Sequence, residues 1–319
     1  MDVSVCIVNW NTRELLCQCI DSVIRLTGPK VSYEIIVVDN CSADGSVEAV
    51  RSRFPEVRVV ASEENLGFAR GCNLAASQAN GRYIFYLNPD TEFVTDAMTG
   101  MLEEIERDPG IGAVGCRLLN SDGSIQYTCA CDVPSPWNEL CSLLGLDRLF
   151  PRSRLFSARE LGYWDHQDTR DVECLSGACM LLSRELDSRL RGFDESFFMY
   201  GEDVDLCLRI REAGYRLRYL ASEVIYHHEG AGSRKRGRDF APVRQRAANL
   251  RVMARHDGAL KAFLYRMAVL AGSTGRFVGV AIAAPVILAF RPSARERLAH
   301  VLQRYGGLAM WAMGLRRPA

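Results

Sequence analysis

The chain lacks the marks of several common protein classes. Among 319 residues and twelve cysteines there is no Cys-x-x-Cys pair. The two close spacings, Cys17/Cys19 and Cys129/Cys131, are too tight and too isolated for tetrahedral zinc ligation. Cys6, Cys17, Cys72, Cys179 and Cys207 sit inside apolar patterns, so reduced structural thiols are expected rather than a disulfide scaffold. No positively charged leader opens the chain, because Asp2 precedes a strand directly, and nothing points to export. A Gly-x-Gly-x-x-Gly loop after the first strand is absent, which excludes a dinucleotide-binding dehydrogenase. The Gly-rich, Arg- and Lys-bearing triphosphate loop of a sugar-nucleotide pyrophosphorylase is missing from the same place. The longest apolar run, Phe277 to Phe290, has about 14 residues, short of the ~20 that a spanning helix needs.

Net charge is also absent, but only as a sum of opposites. Lys plus Arg and Asp plus Glu both number 39. Met1 to Ser233 holds 22 basic and 36 acidic residues, whereas Arg234 to Ala319 holds 17 and 3. An acidic two-thirds joined to a basic third predicts two parts, residues 1–233 and 234–319, with different partners.

What is present is a rhythm of short buried strands and helices. Val3 to Val8 is a continuous β-branched run, as expected of a strand buried on both faces. A helix follows, with Thr12 as its cap and apolar positions at Leu15, Leu16, Cys19, Ile20 and Val23 up to Gly28-Pro29. Strands are predicted over Glu34 to Val38, Val57 to Ala61 and Tyr83 to Leu87, and helices over Asp44 to Phe54 and Ala69 to Ala79. This alternation predicts an open, mostly parallel α/β sheet flanked by helices, with ligands beyond the carboxyl ends of its strands. Polar residues gather at those ends: Asn9 and Asn11, Asp39 and Asn40, Asn65 and Gly67, then Asn88 and Asp90.

Seven segments in order, VSVCIVNWN, IIVVDNCSADGS, NLGFARGCN, YLNPDT, GACMLLSR, GFDESFFMYGEDVDLCLRIREAGY and VIYHHEGAGS, resemble the family-2 inverting glycosyltransferases of the GT-A fold, especially their bacterial rhamnosyltransferase-like branch. The resemblance covers about Val3 to Ser233. It implies transfer of a sugar from a nucleoside diphosphate sugar, with dTDP-L-rhamnose favoured, to an acceptor hydroxyl with inversion. A saccharide or lipid-linked saccharide in bacterial surface polysaccharide assembly is the implied acceptor.

The same resemblance assigns roles residue by residue. Asp39 matches the residue that reads uracil or thymine, as a carboxylate accepting from a ring N–H can. Asn9, Asn11, Asn65, Asn73 and Asn88 are carried over as nucleotide-binding candidates. Arg70 meets the diphosphate as a planar donor fork or is a solvated helix charge. Asp90 is implied as a ligand of Mg²⁺ or Mn²⁺, with Asn88-Pro89-Asp90 standing where many relatives have two carboxylates. His227 is the implied second ligand, and the adjacent His228 is its rival. Asp203 is the implied general base, opposite the leaving group as in-line displacement requires. Asp205, four residues before Arg209, is explained by a helix ion pair. Glu202 either binds the acceptor or favours the helix N-terminus.

Asp122-Gly123 is a hairpin signal, and Tyr127 to Thr169 shows no regular pattern. In the basic tail, helical segments end near His256 and continue as two apolar stretches split by Gly272, Gly275 and Arg276. Short apolar helices with Arg-rich flanks predict attachment to an anionic membrane surface, peripherally on the cytosolic face, with a helical bundle or dimer contact as the alternative. No nucleic-acid-binding motif accompanies the charge, so nucleic acid is not an expected partner.

Overall fold

A computed structural model describes residues 1–228 and 240–315. It divides into two units, Met1–Asp132 with Asp165–Lys235, and Val133–Trp164 with Arg236–Ala319. The division near residue 235 lies close to the expected one, and the difference is internal. Residues 133–164, taken with the catalytic part from sequence, belong with the C-terminal segment.

In the first unit, strand β1 (Val3–Asn9) is buried along its whole length and lies between β2 (Tyr33–Asp39) and β4 (Tyr83–Leu87), parallel to both. The short β3 (Arg58–Ala61) extends this parallel half. Helices α1 (Arg13–Leu26), α2 (Ser46–Arg53) and α3 (Gly67–Ser77) follow the first three strands, as the alternation requires. The other half is mixed. It contains β5 (Thr91–Phe93), β6 (Ile111–Leu119), β8 (Arg170–Val172), β10 (Cys179–Ser183) and β11 (Arg216–His227), with β6 and β11 parallel, β5 and β8 antiparallel to β11, and β10 antiparallel between β4 and β6, while β7 (Ala130–Cys131) and β9 (Cys174–Leu175) form a separate antiparallel pair. The order across the sheet is β3-β2-β1-β4-β10-β6-β11-β5. Helix α4 (Ala97–Arg107) is capped by Asp96, whose side chain accepts from the Thr99 N–H.

Sheet register places the functional residues. Asn9 pairs with Asp39 across β1 and β2, and His227 pairs with Thr91 across β11 and β5. Helix α7 (Arg184–Leu190) follows β10, and α8 (Glu202–Glu212) starts after Gly201, whose φ of 85° suits only glycine without strain. All twelve cysteines are free and most are buried, as expected of structural thiols.

The second unit is helical. The segment without a regular pattern contains α5 (Pro136–Leu144), which has full local signals: Ser135 caps it by accepting from Asn138, Pro136 opens it and Gly145 closes it with φ 77°. A short α6 (Leu146–Leu149) follows. After α9 (Phe240–His256), the two expected apolar stretches form one continuous helix, α10 (Ala259–Phe290), and α11 (Arg295–Ala312) returns beside it. Gly272 and Gly275 do not break α10. A Cβ on Gly272 would come within 2.7 Å of the Leu143 Cβ, so glycine here lets α5 approach. Leu143, Met253, Tyr265, Val269, Leu308 and Trp311 share the core of this bundle, and the Tyr265 hydroxyl donates to Glu139, which also pairs with Arg246 at 2.7 Å.

Gly272→Leu should destabilise this bundle by about 1–3 kcal/mol, because the close neighbour is a Cβ that cannot swing aside. Denaturant unfolding followed by Trp fluorescence reads the change, and an unshifted midpoint contradicts the close-packing account.

Candidate active site

The nucleotide end of the site is built on one carboxylate. Asp39, at the tip of β2, is 2% exposed, and Asn9 Nδ2 donates to its Oδ1 at 2.7 Å. The Ser42 N–H donates to its Oδ2 at 2.8 Å. Asn9 is itself held: its Oδ1 accepts from the Thr12 hydroxyl at 2.6 Å, and its Nδ2 also reaches Ser42 Oγ at 3.1 Å. Thr12 thus spends its hydroxyl on Asn9 instead of capping α1. Asn11, at φ 55°, ties the β1 loop to the β2 loop, with its Oδ1 accepting from the Ala43 N–H and its own N–H donating to Ser42 Oγ. Ser42 joins all three residues. Its signal in the sequence is position three after the Asp of Asp-Asn-Cys-Ser, where an Asx-type turn closes.

A second cluster lies where β4 and β11 end. Asp90 Oδ1 and His227 Nε2 are 3.2 Å apart, both buried. Asn88 Nδ2 lies 3.2 Å from the same Nε2, and Asn88 Oδ1 is buried without a hydrogen-bond partner. Burial works to raise the Asp90 pKa, but the hydrogen bond and charge of His227 outweigh it, and the carboxyl is held below its ordinary value. His228 points to other partners: Ser121 Oγ at 2.8 Å, Glu92 at 3.5 Å and the stacked Tyr226 ring. Of the two histidines, His227 is the one that faces Asp90. Carboxylate, imidazole and an orphaned amide oxygen suit a hard divalent cation. Among the described residues no group of three or more His, Cys, Asp or Glu is placed to hold a metal ion, so these atoms alone would fill only part of a cation's coordination shell.

The third cluster opens α8. Asp203 is half-buried, with Oδ1 accepting from the Val204 N–H and Oδ2 from the Gly177 N–H at 3.3 Å. Beside it Glu202 is 5% exposed, and its Oε2 is buried with no hydrogen-bond partner. Burial, and then the charge of Asp203, push the Glu202 pKa from 4.5 up to about 8. Asp205 is fully buried and pairs with Arg209 at 2.7 Å, as its helical spacing implied.

Comparison with known proteins identifies this arrangement. The profile described as Glycosyl transferase family 2 matches residues 4–190, more than half of the chain. The chain belongs to glycosyl transferase family 2. It is 28% identical over 236 residues to N-acetylglucosaminyl-diphospho-decaprenol L-rhamnosyltransferase of Mycobacterium tuberculosis, covering 70% of this chain and 76% of that one. It is also 28% identical over 171 residues to the rhamnosyltransferase WbbL of Escherichia coli, covering 51% and 61%. Among solved structures, the mannosyltransferase PcManGT of Pyrobaculum calidifontis, in complex with GDP-Man and Mn²⁺, has a TM-score of 0.59 at 20% identity, covering 98% of this chain and 86% of that one. GalNAc-T7 with UDP, GalNAc and Mn²⁺ has a TM-score of 0.60 at 16% identity, and this chain spans about half of it, 51%. These structures establish the fold as GT-A.

Within this family-2 glycosyltransferase the NLGFARGCN segment does less at the site than its motif implied. Asn65 Oδ1 accepts from the Gly67 N–H at 3.0 Å and shapes the entry to α3. Arg70 lies 3.5 Å from Glu64, both well exposed. Asn73 is a correction. Its Nδ2 donates to the Phe193 carbonyl and Glu195, and its Oδ1 accepts from the Phe193 N–H, so its amide braces the loop leading to Glu202 and has no donor left for a nucleotide. A Cβ on Gly67 would strike the Phe198 carbonyl at 2.6 Å, which ties α3 to the same loop. Sequence reasoning missed Ser42, Gly177 and Gln126, the last of which meets His227 Nδ1 at 2.7 Å.

A carboxyl whose pKa is raised on folding holds a proton that the unfolded chain has already lost, so stability falls as pH rises from 4.5 to about 8. Glu202→Gln removes that loss. The Tm advantage of Glu202→Gln over wild type should therefore grow between pH 5 and pH 8, and parallel Tm profiles contradict the buried, protonated Glu202.

Proposed function

We propose that this protein is a metal-dependent inverting glycosyltransferase that moves a sugar, with dTDP-L-rhamnose the favoured donor, to a hydroxyl of a saccharide or lipid-linked saccharide in bacterial surface polysaccharide synthesis. The observation that carries it is the pairing of Asp90 with His227 at the strand ends, in a chain that also places Asp203 beside a Glu202 whose pKa burial pushes up. The rhamnosyltransferase relatives, one of them named for an N-acetylglucosaminyl-diphospho-decaprenol acceptor, support the donor and acceptor classes.

Each group has a physical role. Asp39, oriented by Asn9 and Ser42, retains lone pairs to accept from a pyrimidine N–H. Asp90 and His227 would hold Mg²⁺ or Mn²⁺, with Asn88 alongside, and the cation supplies charge neutralisation at the departing diphosphate. Asp203 takes the acceptor proton as its oxygen attacks the anomeric carbon from the face opposite the leaving group. Glu202 is the wrong partner for that step, since a carboxyl with a pKa near 8 already holds its proton at neutral pH. Neutral Glu202 leaves Asp203 as the single base of the pair. Asn65 precedes α3 and Arg70 lies in its first turn, where the exposed guanidinium, paired with Glu64, is the group proposed to meet phosphate.

The C-terminal unit supports attachment to the cytosolic face of a membrane. Helix α10 is long and apolar enough to cross a membrane by length and composition, at about 48 Å for 32 residues. Leu260, Leu264, Val278, Ile282 and Val286 form an exposed stripe at helical spacing, with Ile282 72% and Phe290 84% exposed. The Arg-rich composition around it suits anionic headgroups.

Asp203→Asn preserves shape and removes proton acceptance, so turnover should fall by ~10²-fold or more while donor binding stays within about twofold. Stopped assays with donor and acceptor, paired with calorimetric donor titration, measure both. Turnover near wild type moves the base elsewhere.

The full chain should sediment with anionic vesicles at low salt, and Ile282→Asn with Val286→Asn should weaken that binding at least several-fold. Equal sedimentation of the two proteins contradicts insertion of this stripe.

A further inference from the structure

We infer that Gln126 is a positioning residue for the cation site, and that the Asp122-Gly123 hairpin exists to set the direction of one imidazole. The inference rests on the metal reading above. The hairpin joins Leu119 to Ile125, and Asp122-Gly123 forms its turn with Gly123 at φ 80°. Its two ends hold Asn120 and Gln126 side by side.

A backbone carbonyl fixes the sense of the chain of hydrogen bonds. Asn120 Nδ2 lies 3.3 Å from the Ile125 carbonyl oxygen, which can only accept. The amide of Asn120 is therefore turned with its Oδ1 away, and that oxygen accepts from Gln126 Nε2 at 3.1 Å. Gln126, 4% exposed, is in turn fixed with its Oε1 toward His227 Nδ1 at 2.7 Å. An amide oxygen accepts, so Nδ1 must carry the proton. In the neutral ring, Nε2 is then left with its lone pair, and it is Nε2 that faces Asp90 Oδ1 and Asn88 Nδ2, each at 3.2 Å.

With its N–H spent on Gln126, the ring turns Nε2 toward Asp90 Oδ1 at 3.2 Å, and a divalent ion taken up there would have an imidazole nitrogen and a carboxylate oxygen as ligands. A ligating histidine that donates its other N–H is held in tautomer and orientation, and loss of the outer partner costs 10–100-fold in metal affinity. The hairpin segment from Cys116 to Gln126, which no nucleotide or base role uses, thereby acquires a purpose.

The test uses the full chain labelled with ¹⁵N-histidine, metal-free, at a pH where the ring is neutral. His227 is assigned among the five histidines by the signals lost in His227→Gln. Long-range ¹H–¹⁵N spectra should show His227 as the Nδ1–H tautomer, and the near-isosteric Gln126→Met should shift it toward Nε2–H. In Mn²⁺ titrations read by electron paramagnetic resonance, with dTDP or UDP present, Gln126→Met should bind about 10–100-fold more weakly, and Gln126→Glu, which keeps an acceptor, should stay within about threefold of wild type. A purely structural glutamine would not be rescued by glutamate nor move the tautomer. An Nε2–H tautomer in wild type, or an unchanged tautomer and affinity in Gln126→Met, overturns the inference and leaves the metal reading standing. Wild-type protein that shows the Nδ1–H tautomer but binds no Mn²⁺ overturns the metal reading instead.

Discussion

The parallel register of β1 against β2 is the constraint on which the candidate site depends. Side chains alternate along a strand, so a slip of one residue would turn every core residue of β2 toward the other face. Ile35 to Val38 are all buried and are bounded by Glu34 and Asp39, so a slip would also draw a carboxylate into the apolar layer. Pinned in this way, Asp39 stands beside Asn9, and the loops after both strands meet through Ser42. The same logic operates across β11 and β5, where the pairing of His227 with Thr91 brings an imidazole to Asp90, one residue from the end of β5. Apolar burial supplies the energy and the polar residues at the strand tips occupy the places it leaves.

Two buried acids of the site are shifted in opposite directions by their surroundings. Asp90 is pulled down by His227, and Glu202, beside Asp203 with an unpartnered oxygen, is pushed up. Burial works to raise both, so the partner decides. Asp205, also buried, is ion-paired with Arg209. The lowered Asp90 is the carboxyl that the proposed cation site would use, and the raised Glu202 leaves the proposed base role to its neighbour Asp203. The helix dipole of α8 favours negative charge at its start, which makes the neutrality of Glu202 a consequence of desolvation and of Asp203 rather than of position in the helix.

Much of the first unit was legible because its signals are local. The run Val3 to Val8, the turn residues after each early strand and the helical spacing from Leu15 to Val23 specify elements within a few residues of their stated ends. Asp39, Asp90, Asp203 and His227 stand out because carboxylates and imidazoles at strand ends and helix starts are few. What was not legible is long-range. Gln126 reaches His227 across 101 positions, and Asn73 reaches Phe193 across 120, so neither partner can be read from spacing. Helix α5 had its cap, proline and closing glycine, but its destination was set by Glu139 meeting Arg246 and Tyr265 far along the chain. The continuity of α10 was missed because glycine reads as a breaker in an exposed helix, whereas Gly272 is retained for contact with Leu143.

The central claim is displacement at the anomeric carbon with the acceptor proton taken by Asp203 opposite the leaving diphosphate. It is tested most directly by incubating the full chain with dTDP-L-rhamnose, Mn²⁺ and a lipid diphosphate-linked saccharide, then reading the configuration of the new glycosidic bond by NMR. The account predicts transfer with the anomeric configuration opposite to that of the donor. A product that retains the donor configuration would contradict it.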